Sequence, residues 1–342
     1  MSSSKIMNKK DIGKLLSQWS EEFVILVPSK EGDTTKMAKW DGKDTGFIDR
    51  YRNTTQPSKA NFFPPMEKMF SFQKDKEGYH IELASSDKHK QLLFAIRPCD
   101  ANALAILDVA FKDGYEDPYY LSQRKDTLLV GLGCINPYDS CFCTSLGSSP
   151  FDLTNVDIMF TDSGEEFFIE EVTEAGKELV AKTEGLREAS KVDEAKASKV
   201  KEASYNRVTR KIDTRDIDKK LLACFENEDY WEKVSAKCIS CGICTFLCPT
   251  CYCFDINDEL VRKQGTRFRS WDSCAFPIYT EMPMENPRPE KWRRVRQKVC
   301  HKFEFFPMNF GVVACTGCGR CIRLCPVNWD ITQTIESMPA II

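Results

Sequence analysis

The chain has 342 residues, 48 Lys and Arg against 51 Asp and Glu, and a formal net charge of −3. That balance offers no global basic surface for nucleic acid or an anionic membrane, and no run approaches the roughly 18 apolar residues of a membrane span. Met1 to Asp11 lacks an apolar core of signal-peptide length, so the 17 cysteines read as reduced metal ligands in a cytoplasmic, anaerobic setting rather than as a disulfide framework.

From Phe23 to Val172 short β-rich runs alternate with helical stretches: Phe23 to Val27, Leu92 to Ile96, Thr127 to Val130, Val156 to Phe160 and Phe167 to Ile169. The alternation predicts an α/β domain over residues 1–173, with inner strands covered on both faces. Cys99 follows the strand that ends near Ile96, and Asp100 is placed to cap a helix from Ala101 to Phe111. Cys134 follows the Thr127 strand in the same way, through Gly131 and Gly133. If the two strands are parallel neighbours, both thiols emerge beyond their carboxyl ends, where open α/β sheets place their sites. The Cys141-Phe142-Cys143 loop can fold over the same crevice. Cys99, Cys134, Cys141 and Cys143 are therefore a candidate third [4Fe-4S] site, with zinc or unligated redox-active thiols as alternatives.

Residues 174–220 are rich in Glu, Lys and Ala and free of Pro. They predict one or two solvent-exposed helices, a connector with Glu178 and Lys182 as an i,i+4 pair.

From Leu221 the composition turns to Cys, Trp, Phe and Pro, which marks a ferredoxin-like domain over residues 221–342, α+β or largely α in class. Cys238, Cys241, Cys244 and Cys248 precede Pro249; Cys315, Cys318, Cys321 and Cys325 precede Pro326. Each ladder reads C-x2-C-x2-C-x3-C-P, in which three thiolates hold one cubane and the fourth crosses to the other. Cluster 1 is thus expected on Cys238, Cys241, Cys244 and Cys325, and cluster 2 on Cys315, Cys318, Cys321 and Cys248. A tight loop that aims three sulfurs at one body needs small or φ-positive residues, and Gly242, Gly317 and Gly319 stand there. A structural zinc pair is the rival, although zinc sites more often split two C-x2-C pairs by a longer loop. Arg320 and Arg323 flank the second ladder, either raising its potential or simply facing solvent.

The 66 residues between Cys248 and Cys315 make an insertion, 249–314, in the ferredoxin unit. It carries Cys251, Cys253 and Cys274, candidate additional ligands: they could serve a further cluster with one outside ligand, or pack around the first ladder's cluster. Its basic stretch, Lys291 to Lys298, reads as a helix face meeting an acidic partner or solvent. Cys224 and Cys300 read as buried structural thiols.

Several stretches together carry a resemblance: Arg97 to Asp108, Gly133 to Cys143, Lys237 to Cys244, Cys248-Pro-Thr-Cys-Tyr-Cys253, Trp271-Asp-Ser-Cys274 and Cys315 to Cys321, with a weaker match from Phe62 to Phe70. The chain resembles the beta subunits of soluble sulfhydrogenases (NiFe hydrogenases) and the similar iron-sulfur subunits of anaerobic sulfite reductases. It departs from that pattern mainly in its segment 174–220. The resemblance implies an electron-wiring subunit between a flavin subunit that handles NAD(P)H and a catalytic partner of the hydrogenase, sulfite reductase or heterodisulfide-reductase-like kind.

The chain has no Gly-x-Gly-x-x-Gly opening a helix, so neither flavin nor nicotinamide is expected on it. His80, His89 and His301 form no ligand pair in sequence and read as surface or packing residues. A cubane held by four cysteines carries electrons without an open coordination position, so electron transfer is the leading expectation. The rivals are a catalytic reductase of sulfur compounds acting at the Cys99, Cys134, Cys141, Cys143 site, and a binding module that uses metal only structurally.

Overall fold

The computed structural model describes residues 4–43, 48, 51–84 and 89–339, so the first three residues of the segment read for an export signal fall outside them. The first half runs β1 (Ser4–Asn8), α1 (Ile12–Trp19), β2 (Val24–Glu31), β3 (Thr34–Lys39), β4 (Met66–Lys74), β5 (Tyr79–Leu83) and β6 (Gln91–Ile96). It continues through α2 (Pro98–Lys112), α3 (Pro118–Lys125), β7 (Thr127–Leu132), β8 (Ile158–Asp162) and β9 (Glu166–Glu171). Eight strands form one mixed sheet in the order β10-β1-β9-β8-β7-β6-β2-β3, where β10 is Arg187–Glu188. Its centre, β2, β6, β7 and β8, is parallel. The inner strands are apolar on both faces because helices cover both. Leu15, Leu16 and Trp19 of α1 pack with Phe94 and Val130 on one side, and Ala101, Leu104 and Leu107 of α2 pack with Leu93 and Leu129 on the other.

Helix α2 starts one turn earlier than the sequence suggests. Pro98 occupies its first turn and Arg97 is the cap, since proline is preset for the first helical position and loses no needed hydrogen bond there. Cys99 and Asp100 are therefore inside the first turn. Asp100, rather than capping, accepts from the Arg320 guanidinium on both carboxylate oxygens at 2.7 Å.

The Glu- and Lys-rich segment forms α4 (Glu174–Ala181), the strand β10 and α5 (Lys191–Asn206). It is a layer on the main sheet rather than a free connector. β10 pairs with β1, Leu179 and Val180 enter the sheet core, and Ala197 packs on Ile6 and Phe168. Few apolar residues suffice because Leu179, Val180 and Ala197 are buried against the sheet, while Lys201 pairs with Glu170 and Arg187 with Glu166 and Asp193 along the edge.

The remaining chain is α6 (Ile217–Ala223), α7 (Glu228–Ser235), α8 (Ile243–Phe246), β11 (Phe254–Val261), β12 (Gln264–Trp271), α9 (Lys291–Cys300), α10 (Phe306–Phe310), α11 (Arg320–Arg323) and α12 (Ile331–Glu336). Trp231, Trp292, Val299, Phe303 and Trp329 centre the helical core, and Cys224 and Cys300 lie in it as apolar fillers. The insertion contributes the β11–β12 hairpin, which pairs through β12 with β4 to give a second sheet, β11-β12-β4-β5. Arg269 of β12, 1 % exposed, fastens it to the first half through ion pairs with Glu67 and Asp117. Two hairpins far apart in sequence thus lock the two halves together.

Candidate metal centres

The two ladders fold as a structural repeat. Ser240 and Gly242 in the first have φ of +56° and +76°; Gly317 and Gly319, at the matching positions of the second, have +65° and +72°. Left-handed backbone at both positions bends each loop so that its first three cysteines share one side, and glycine takes it without a Cβ penalty. A single-turn helix then follows in each, α8 and α11, and carries the third cysteine toward the closing proline. Amide groups already point at sulfur: Ser240 N–H donates to Cys238 Sγ at 3.4 Å, and Trp329 N–H to Cys325 Sγ at 3.1 Å. Such N–H···S contacts favour a charged, metal-bound thiolate over a thiol.

The second ladder is joined to the first half of the chain. Phe142 N–H donates to Gly317 O at 2.9 Å, and Cys141 Sγ to Cys318 O at 3.6 Å. A Cβ on Gly317 would stand 2.5 Å from Cys143 N, and one on Gly319 2.4 Å from Ser140 Oγ. Gly317→Ala, which adds both that clash and a strained φ, is expected to cost about 1–3 kcal/mol in denaturant unfolding. A variant as stable as the parent would show that these segments are not packed together.

Cys99, Cys134, Cys141 and Cys143 line one cavity, together with Gly317 and Cys318. Parallel pairing of β6 with β7 supplies the frame. Arg97, 5 % exposed, supplies the clamp: its guanidinium donates to Leu132 O at 2.9 Å and Gly133 O at 2.6 Å, and to Tyr51 O. The start of α2 is thereby held against the end of β7, and their two cysteines with it. The Cys141–Cys143 loop closes over them, steadied by the Arg52 and Arg323 guanidinium groups on the ring of Tyr138. Burial pushes Cys141 and Cys143 up to about 12 and raises Cys134. As bare thiols they would hold their protons at neutral pH, and a bound metal displaces such protons outright.

The insertion places Cys251, Cys253 and Cys274 in a different cavity, of about 300 Å³, with Lys298, His301 and Lys302 in its wall. Here the basic helix departs from expectation. α9 turns Arg294, Arg296 and Lys298 inward, buried beside Trp292, while Lys291 and Arg293 stay partly exposed. Arg294 donates to the carbonyls of Ala275 and Arg288, Arg296 to that of Phe225, and Lys298 to that of Cys244 at 2.8 Å. Below it the π-helical turn His301–Phe305 presents Lys302, whose ammonium donates to Cys248 Sγ at 3.2 Å, Thr250 Oγ1 at 2.9 Å and Ala314 O at 3.0 Å. Burial alone would lower the Lys302 pKa, but the neighbouring Cys248 and Cys251 more than offset it and the pKa rises. His301 is neither on the surface nor merely packed. It lines the cavity, stacks on Phe306, and is pushed down to about 4 by burial and by the two lysines.

The arginines beside the second ladder do not face solvent. Arg320 is 0 % exposed and its charge is taken up by Asp100, Asn53 and Thr54; Arg323 stacks on Tyr138. Among the described residues the cation that hydrogen-bonds a ladder sulfur is Lys302, for which the sequence carried no signal. Thr316 Oγ1 and Ser140 Oγ, beside the second ladder, are buried with no hydrogen-bond partner among the described residues, which suits donors meant for a cluster's sulfide or thiolate. Among those residues no three His, Cys, Asp or Glu side chains close on a single ion. A cubane asks for something else, thiolates on separate irons of a larger body. No helix among the described residues is long and apolar enough to cross a membrane.

The ladder geometry corresponds to a family model, a 4Fe-4S dicluster domain, which matches residues 237–329. The chain is an iron-sulfur protein of the electron-transfer class. Over 337 residues, covering 95% of this chain and 97% of the relative, it is 28% identical to "Sulfhydrogenase 2 subunit beta" of Pyrococcus furiosus. The likeness to that subunit thus extends along nearly the whole chain, and the dicluster domain lies in its C-terminal part. No solved structure matches it.

Proposed function

We propose that this chain relays single electrons inside a soluble, cytoplasmic, anaerobic oxidoreductase complex, between a subunit that handles NAD(P)H through a flavin and a catalytic subunit of the hydrogenase, sulfite-reductase or heterodisulfide-reductase-like kind. Cys238, Cys241, Cys244 and Cys325 would hold one [4Fe-4S] cluster, and Cys315, Cys318, Cys321 and Cys248 a second. Cys248 fits the second set because its charge, after burial, is among the influences that raise the thiols of Cys315 and Cys321. Cys99, Cys134, Cys141 and Cys143 would hold a third. When bound, such clusters accept and release one electron each without an open coordination site.

The observation that carries the reading is continuity. The Cys99 cavity shares Gly317 and Cys318 with the second ladder, and Lys302 joins Cys248, the first ladder's crossing thiol, to the insertion cavity. Thiols therefore line neighbouring sites between the carboxyl ends of the parallel strands and the insertion hairpin. The protein's own part is to bury them, supply N–H and ammonium donors to sulfur, and keep water out. Stepwise reduction of the anaerobically prepared chain with dithionite, followed by visible absorbance and EPR, tests this. Bleaching in one-electron steps, with no turnover of sulfur compounds by the isolated chain, is the expected result. Catalytic turnover with an artificial donor would overturn it.

A further inference from the structure

The insertion cavity is claimed by neither ladder nor by the Cys99 set, yet it has the marks of a built site. Cys251 and Cys253 stand two apart in an irregular stretch without helix, a spacing that in extended chain puts both on one face. Cys274 is brought to them by the end of the β11–β12 hairpin, where Asp272 N–H donates to Cys253 O at 3.0 Å. All three line the same space of about 300 Å³. Lys298 and Lys302, 5 % and 4 % exposed, face it too. Among the described residues neither has a carboxylate partner: their ammonium groups reach carbonyls, a hydroxyl and Cys248 Sγ. Buried cations are retained where an anion answers them. The wall offers thiols and no acid to answer these two.

We propose that Cys251, Cys253 and Cys274 hold a further [4Fe-4S] cluster in this cavity, with its fourth iron left to a ligand other than cysteine and its negative charge balanced by Lys298 and Lys302. Three thiols lose their protons to solvent as iron enters. Lys302 also touches Cys248, so this cluster adjoins the first ladder's crossing thiol and extends the thiol path to the insertion hairpin. It goes beyond the ladder reading and can fail while that reading stands.

The test uses the full chain, reconstituted anaerobically with iron and sulfide, as parent, as the double variant Cys253→Ser with Cys274→Ser, and as Cys224→Ser, a buried thiol outside every site. The double variant is expected to hold about four fewer irons per chain, and Cys224→Ser to match the parent. A cubane with one iron not held by cysteine sheds that iron readily, so mild ferricyanide oxidation of the parent should give a [3Fe-4S] EPR signal that the double variant lacks. Equal iron in the parent and the double variant would overturn the proposal while leaving the ladders filled. So would a parent without the [3Fe-4S] signal, even if the double variant lost iron by misfolding. A parent with no iron at all would overturn the ladder reading as well.

Discussion

Cys241→Ser is expected to remove about four iron atoms per chain and leave the fold standing. Cys241 is the exposed member of the first ladder, so exchanging its sulfur for oxygen empties no core. What goes is one of the thiolates on which a cubane depends, and a hydroxyl at an exposed loop is a poor replacement. Iron analysis beside far-ultraviolet circular dichroism reads both halves of this expectation. Unchanged iron would show that the first ladder holds no cluster.

Asp100→Asn should destabilise the chain by about 3–5 kcal/mol. Asp100 is 2 % exposed and Arg320 0 %, and the carboxylate receives two guanidinium hydrogen bonds at 2.7 Å. The amide leaves Arg320 charged, buried and short of its counter-ion, with only Asn53 and Thr54 for company. Because the pair binds α2 to α11, the first turn that carries Cys99 would loosen from the loop that carries Cys318. The double variant Asp100→Leu with Arg320→Met removes both charges and should cost much less, as buried pairs exchanged for apolar side chains do. Denaturant midpoints for the two variants decide. Equal losses would mean that packing volume, not the unpaired charge, is what matters here.

The ladders were legible because their chemistry is local. Eight cysteines, two prolines and three glycines fix loop shape within a dozen residues, and Gly242, Gly317 and Gly319 all take the left-handed backbone their positions demanded. The parallel strands were legible because strands buried on both faces read as unbroken apolar runs, as in Leu92 to Ile96. Their neighbouring order rested on topology alone, and the Arg97 clamp that exploits it is a long-range contact invisible to any window. Composition misled where burial is sparse. Residues 174–220 carry few large apolar side chains, yet Leu179, Val180 and Ala197 are enough to seat them on the sheet.

Charge misled in the opposite sense. Lys291 to Lys298 looked like a surface face because buried cations are rare, but Arg294 and Arg296 end on backbone carbonyls and Lys298 on that of Cys244. The charge of Arg320 is cancelled by a residue 220 positions away. The hairpin pairing of β4 with β12 joins chain segments that nothing in either sequence advertises. Tertiary partners decide each of these cases, and local pattern cannot supply them.

Iron and acid-labile sulfide, counted per chain in protein prepared and held without oxygen, test the central claim most directly. The ladders alone predict about eight of each, the Cys99 set raises both to about twelve and the insertion cluster to about sixteen, in brown protein whose colour bleaches on reduction. A folded chain that is colourless and takes up neither iron nor sulfide would contradict the account.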